Sequence, residues 1–267
     1  RLEPEDVRVL GKEAVVPSVP VQRGTPALAA AALLVTERLG APRPQILLAG
    51  DCGSSKGSSA LYAWLASWLV DEDANLSGLT FHYLFPSVDG HNSMALEARR
   101  GPMPALVADA GFMYAAKMSG YASRYDVFTP DAGELAFLAD EKAPHPFYTR
   151  GFLLSEDNRT EDLARLAWEH GDSARLLLVK GSSDLIMEEG RETGRVTEPC
   201  LPFMDPVGGT GDLVTGLLTA FAAAGFPLKE ACVLAAQGAR FTGELTNPTP
   251  ATSISAFMPF AAEGAMR

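Results

Sequence analysis

Short apolar runs that stop at a glycine, a proline or an acid, each followed by a stretch of helical spacing, recur along most of this 267-residue chain. Ile46 to Ala49, Leu79 to Phe85, Ala105 to Ala108, Asp126 to Thr129 and Leu176 to Val179 read as strands. Residues 25–38, 111–119, 160–170, 213–224 and 228–245 read as helices, and Gly40, Gly171 and Gly225 stop three of them. Strands separated by helices cannot be joined as tight hairpins. The pattern therefore predicts an α/β fold, with a mostly parallel central sheet and helices on both faces. No internal repeat, low-complexity tract or linker interrupts it. A single domain over 1–267 is expected, with 1–42 as a lead-in and first helix.

Within that frame, Leu61, Trp64, Leu65, Trp68 and Leu69 form an apolar stripe, which makes the Trp pair core packing. Leu79, Phe81, Tyr83 and Phe85 share one face of their strand. His82 lies on the other face as a packed or surface histidine, and His91 falls in a loop. Residues 141–158 read as an irregular connection. Asp184 to Glu188 and Arg195 to Thr197 read as a hairpin-like excursion around Glu189-Gly190, and a last helix is expected over 251–262.

A formal charge of −11 argues against nucleic acid or an anionic membrane as partner, while leaving phosphate ligands open to a local glycine loop. Cys52, Cys200 and Cys232 lack metal-ligand spacing and make an odd count, so a reducing, cytoplasmic compartment without a disulfide framework is expected. No apolar run is long enough to span a bilayer. The chain begins at Arg1 rather than Met, which leaves a preceding segment or domain open.

The chemistry-bearing residues sit where strands end. Gly208, Gly209 and Gly211 allow the backbone between Pro206 and Asp212 to turn tightly before a helix, exposing N–H groups at its positive end. Thr210 lies within this loop. Asp212 is placed to take a proton from a hydroxyl attacking a docked phosphate, or to cap the helix. Lys180-Gly181 ends another strand, as a snorkelling cation or a phosphate contact. Gly50-Asp51-Cys52-Gly53 opens a second strand–loop–helix junction. Lys56 precedes Gly57 there instead of following it, so the loop is not a P-loop. Asp109 ends a strand. Asp131 and Glu134, three apart, could hold a hydrated Mg²⁺ or cap the next helix. Open α/β sheets place their ligands at this edge.

The ordered set resembles the ribokinase-like superfamily, and within it the ADP/ATP-dependent NAD(P)H-hydrate dehydratases, often described as carbohydrate kinases. The resemblance runs from about Ile46 to the C-terminus. Ile46 to Gly57 is similar to that family's early strand and glycine loop, and Ala108-Asp109-Ala110 to its strand ending in Asp-Ala. Thr129-Pro130-Asp131-Ala132-Gly133-Glu134 is similar to its Thr-Pro-His-Pro-Gly-Glu, Val179-Lys180-Gly181 to its Lys-Gly, and Gly208-Gly209-Thr210-Gly211-Asp212 matches its signature without change. The chain departs from the family at Asp131, which replaces His, at Pro202 to Pro206, and in the lead-in from Lys12 to Arg23.

The resemblance implies ATP or ADP with its phosphates on the 208–211 amides, beside Lys180 and Gly181. It implies Mg²⁺ near Asp131 and Glu134, Asp212 as base, and Gly50, Asp51, Gly53 and Asp109 toward the substrate. Three readings follow: dehydration of NAD(P)H hydrate, phosphorylation of a sugar or vitamin-like alcohol, and nucleotide binding without catalysis. The first two share their first step. The family and the alanine-rich helices also hint at a homo-oligomer.

Overall fold

The computed structural model describes residues 2, 7–9, 18–51, 55–71, 76–97, 104–144, 149 and 159–267. In chain order the first elements are β1 (Val7–Val9), α1 (Thr25–Leu39), β2 (Ile46–Leu48), α2 (Lys56–Asp71), β3 (Gly78–His82) and α3 (Val88–Glu97). Next come β4 (Ala105–Asp109), α4 (Gly111–Met118), β5 (Val127–Phe128), α5 (Ala132–Ala139), α6 (Thr160–Glu169) and β6 (Leu176–Val179). Then follow β7 (Asp184–Glu188), β8 (Arg191–Val196), α7 (Thr210–Ala223), α8 (Leu228–Thr246) and α9 (Met258–Gly264).

Strands β3 to β8 form one six-stranded sheet in chain order, and β1 pairs with β2 in a separate two-stranded sheet. The β3–β4, β4–β5 and β5–β6 pairs are parallel. Every residue of β6 is buried, as a parallel strand covered on both faces requires. The expected α/β architecture with a mostly parallel sheet is what the chain adopts. At the turn after β7, Glu189 and Gly190 both take positive φ, 51° and 74°, the signature of a two-residue hairpin turn.

The chain divides into two compact units. One comprises Arg1–Leu47, Lys180–Ile186 and Gly194–Arg267; the other comprises Leu48–Val179 and Met187–Thr193.

In the first unit, α1 and α7 lie side by side and run parallel. The Gly24 amide ahead of α1 meets Asp212 in the first turn of α7. One turn on, a Cβ at Gly216 would strike the Leu28 carbonyl and would sit 2.8 Å from the Ala31 Cβ. Ala27 and Ala29 to Ala32 are all buried, so the small side chains of α1 permit this approach.

Helix α8 carries a buried cation on its Ala-rich face. Arg240 donates through Nε to Asp184 Oδ2 at 2.7 Å. Its terminal nitrogens donate to the carbonyls of Thr197 at 2.9 Å, Pro199 at 3.3 Å, Gly181 at 3.1 Å and Ser182 at 2.9 Å. The other Asp184 oxygen accepts the Gly181 N–H at 3.0 Å. Burial pushes the Asp184 carboxyl above the usual carboxylate range, against the pull of the guanidinium beside it. One side chain thus ties down both segments that flank the β7–β8 hairpin.

In the second unit the strand edge departs from the expected alternation. Strand β3 stops at His82, because Tyr83 takes φ 47° and turns the chain out of register. Tyr83 and Phe85 are consequently 53% and 49% exposed instead of sharing the face of Phe81. Trp64 and Trp68 stack on each other, centroids 5.3 Å apart, but both are only half-buried. The core face of α2 is Leu61, Tyr62 and Leu65. The last helix begins later than expected, after a 3-10 turn at Ile254–Ala256. Most of 145–158 lies outside the described residues. Lys117 of α4 is buried and donates to the carbonyls of Phe137 (2.5 Å), Leu138 (3.3 Å) and Asp140 (2.7 Å), neutralising the C-terminal end of α5.

His91, expected in a loop, lies inside α3 and is fully buried. Its ring nitrogens bond the Tyr125 hydroxyl and the Ser119 hydroxyl, each at 2.8 Å. Burial pushes its pKa down to about 4. The imidazole is therefore neutral in the folded chain down to that pH, whereas the unfolded chain takes up the proton below its ordinary value near 6.5.

The stability assigned to neutral His91 is fully present above about pH 6.5 and is lost as pH falls toward about 4, to a total of about 3 kcal/mol. His91→Gln should remove that part of the acid dependence, as read by urea unfolding across this window. Arg240→Lys cannot reproduce the fork of contacts and leaves Asp184 poorly compensated. It should cost about 3 kcal/mol in the same measurement at pH 7.

Candidate functional site

The glycine loop and its helix belong to the first unit. Gly209 is the N-cap of α7, with φ 107° and no side-chain cap bond to the helix. A Cβ at Gly209 would sit 2.9 Å from the Ile254 side chain, so both its backbone angle and its surroundings demand glycine. At Gly208 a Cβ would meet nothing within 4 Å, which leaves space against the backbone at that point of the loop. Thr210 Oγ1 donates back to the Val207 carbonyl at 3.1 Å and closes the turn.

Lys180, immediately after β6, extends to the first turn of α7. Its Nζ lies 3.3 Å from where a Cβ on Gly211 would be. Glycine at 211 therefore leaves the space the ammonium occupies. Gly181 is held by Asp184 and Arg240, as described above. Asp212 is half-buried, and its Oδ2 accepts the Gly24 N–H at 2.6 Å. The structure thus brings the Lys180 ammonium to Gly211, within the Gly208–Asp212 stretch, while Gly181 is fixed by Asp184 and Arg240. An ammonium, the amide end of a 14-residue helix and a carboxylate share one place. Such a set can hold an anionic phosphoryl group and accept a proton beside it.

The remaining residues singled out from the sequence belong to the second unit. Asp109 ends β4, is buried, and accepts the Ala110 N–H at 2.8 Å through Oδ1. The parallel register sets it opposite His82, whose Nε2 lies 3.8 Å from Oδ2. Asp51 Oδ2 accepts the Ser58 N–H at 3.0 Å and so spans its own loop. Gly50 takes φ 60°. Gly57 is glycine for a steric reason, since a Cβ there would collide with the Ala49 carbonyl. Gly53 lies outside the described residues.

Asp131 and Glu134 form a reciprocal capping box at the start of α5. Asp131 Oδ1 accepts the Glu134 N–H at 2.8 Å, and Glu134 Oε2 accepts the Asp131 N–H at 2.9 Å. The cap takes one oxygen from each carboxylate and orients both at the helix head. That is compatible with a hydrated Mg²⁺, which needs few direct carboxylate contacts. Burial, then the charges of Glu134 and Asp131, push the Tyr114 hydroxyl well above its ordinary value.

Three residues that hold or pair with candidate site residues were not placed there by the sequence reading. Gly24 lies 188 positions from the carboxylate it holds. Arg240 had one available signal, a cation on an otherwise Ala-rich helix face. His82 is placed beside Asp109 only by strand register, for which local spacing carries no information.

Comparisons with known proteins bear on the fold and the family. The chain superposes on the pyridoxal kinase of Staphylococcus aureus solved with pyridoxal, with a TM-score of 0.55 and 15% identity, covering 88% of this chain and 86% of that one. It superposes on YxkO of Bacillus subtilis with a TM-score of 0.54 and 13% identity, covering 90% and 88%. The Bacillus subtilis pyridoxal kinase in its ADP complex gives 0.52 and 16%, covering 86% and 87%. These likenesses show the ribokinase-like fold. No family model matches the chain. It is 33% identical over 212 residues, 79% of its own length and 86% of the relative's, to the uncharacterized protein MJ1337 of Methanocaldococcus jannaschii. The chain therefore belongs to the family of that archaeal protein, on a ribokinase-like fold.

Proposed function

We propose that this chain is a nucleotide-dependent phosphotransferase acting on the hydroxyl of a small molecule. One observation carries the reading: Lys180, the amide end of α7 and Asp212 are assembled at the Gly208–Asp212 loop. The fold shared with nucleotide-binding vitamin kinases supports it. In this reading the loop amides and Lys180 hold the terminal phosphates of ATP or ADP and offset the charge that develops as the phosphoryl group moves. Asp212 accepts the proton of the acceptor hydroxyl. Asp131 and Glu134 would hold Mg²⁺ through water, and the ion would supply further neutralisation of phosphate charge. Gly50, Asp51 and Asp109 are the candidates for contacts to the acceptor.

Dehydration of NAD(P)H hydrate is the second reading, supported by the unchanged Gly-Gly-Thr-Gly-Asp sequence. It opens with the same transfer to a hydroxyl and continues by elimination. A protein that binds nucleotide without turnover is the third.

A single assay separates the three. Purified protein is incubated with Mg²⁺, ATP or ADP, and a panel of small alcohols that includes NADH hydrate. Nucleotide consumption and the return of reduced-nicotinamide absorbance are followed together. Consumption tied to one alcohol is the expected outcome. Asp212→Asn should lower kcat by roughly 10²–10⁴-fold while leaving the nucleotide Kd within about threefold. Undiminished turnover in that variant would exclude Asp212 as the base, and binding without turnover on any acceptor would leave only the third reading.

A further inference from the structure

Asp212 does more at the head of α7 than its position requires. An acid in the first turn of a helix ordinarily turns back to its own helix's amides. Here Oδ2 reaches across to another helix and accepts the Gly24 N–H at 2.6 Å, a short charge-assisted bond. The donor is prepared for this. Gly24 precedes α1 with φ 68° and ψ −153°, backbone angles open essentially to glycine alone. It is also held from behind, because its carbonyl accepts the N–H groups of Ala27 at 2.8 Å and Leu28 at 3.2 Å. The two helices, 15 and 14 residues long, cannot slide past each other, since Gly216 leaves no space between α7 and the Leu28–Ala31 turn. A glycine of unusual backbone, anchored on a rigid helix pair, thus sets the direction of one carboxylate.

We propose that Gly24 is a positioning residue for Asp212, its amide fixing the carboxylate rotamer from which the acceptor hydroxyl is deprotonated. This rests on Asp212 being the base in the function proposed above. In the step it serves, the hydroxyl proton passes to Asp212 as the acceptor oxygen bonds the γ-phosphorus of ATP, and the bond from that phosphorus to the bridging oxygen breaks to release ADP. A carboxylate free to swing onto the α7 amides would be out of place for the first of these events, and displacements on this scale cost up to about 10²-fold in rate.

The test removes one hydrogen-bond donor. Glycolic acid is incorporated in place of Gly24, which converts the amide to an ester and deletes the N–H. kcat should fall about 10–100-fold, with the ATP KM within about twofold of the unmodified protein. The same exchange made in Asp212→Asn should have no further effect. An undiminished kcat, or an equal loss in both backgrounds, would overturn the proposal, since the amide would then act independently of the carboxylate.

A readout free of turnover accompanies it. In protein labelled with ¹³C at Asp carboxyls, the Asp212 resonance, identified by its absence in Asp212→Asn, should be a single sharp line that broadens or splits in the ester. An unchanged line overturns the positioning role. If the unmodified protein phosphorylates no acceptor, the kinase reading falls and this resonance still decides whether Gly24 orients the carboxylate. Should the ester fail to fold, ¹⁵N-glycine spectra decide instead: Asp212→Ala should move the Gly24 amide proton strongly upfield, and an unmoved resonance would refute the contact.

Discussion

The contact between α1 and α7 at Gly216 is the constraint on which the rest of the candidate site depends. Helices usually approach to a distance set by the side chains between them. Here glycine on one side and a run of alanines on the other bring the backbone of α7 against the Leu28 carbonyl. The two helix heads are thereby brought level. Only then can the amide before α1 reach the third helical residue of α7. Gly209 gives the glycine loop its shape, with a backbone angle and a closeness to Ile254 that only glycine allows, but where the loop points is decided by this packing.

The buried charges serve a related purpose. Arg240 and Lys117 donate mainly to backbone carbonyls in segments that lack regular structure or end a helix. Taking such cations out of water is costly, and apolar replacements of similar shape often stabilise a fold as well or better. What an apolar side chain cannot do is satisfy several carbonyls at once. Arg240 thereby holds the backbone at Gly181 and Ser182, next to the lysine at the loop, and Lys117 holds the far end of the helix whose head carries Asp131 and Glu134. In both cases the charge specifies where a segment carrying candidate site residues lies.

The pair at the ends of β3 and β4 shows the limit of reading from spacing. Alternation from Leu79 to Phe85 suggested one continuous strand. It failed at Tyr83 because the pattern reports side-chain polarity and not a backbone that turns to positive φ. The Trp64–Trp68 stripe failed differently. Its spacing correctly marks one helix face, but the ring pair lies at the margin of that face and is only half-buried. His91 was missed because the helix around it has little apolar periodicity and is held by tertiary packing. The capping box at Asp131 and Glu134, by contrast, was legible as one of two readings, since it needs only four consecutive residues.

Taken alone, the sequence determined the alternation of strands and helices, the positions of most turns, and the loop chemistry of Gly208 to Asp212. Each of these depends on residues within a few positions of one another, where spacing and backbone preference act directly. Tertiary structure alone decided that Lys180 comes to Gly211, that His82 lies beside Asp109, that Arg240 ties Gly181 to Thr197, and that Gly24 holds Asp212. These pairs join segments far apart in the chain. They form only when strand register and helix packing are settled together, and both are properties of the assembled core.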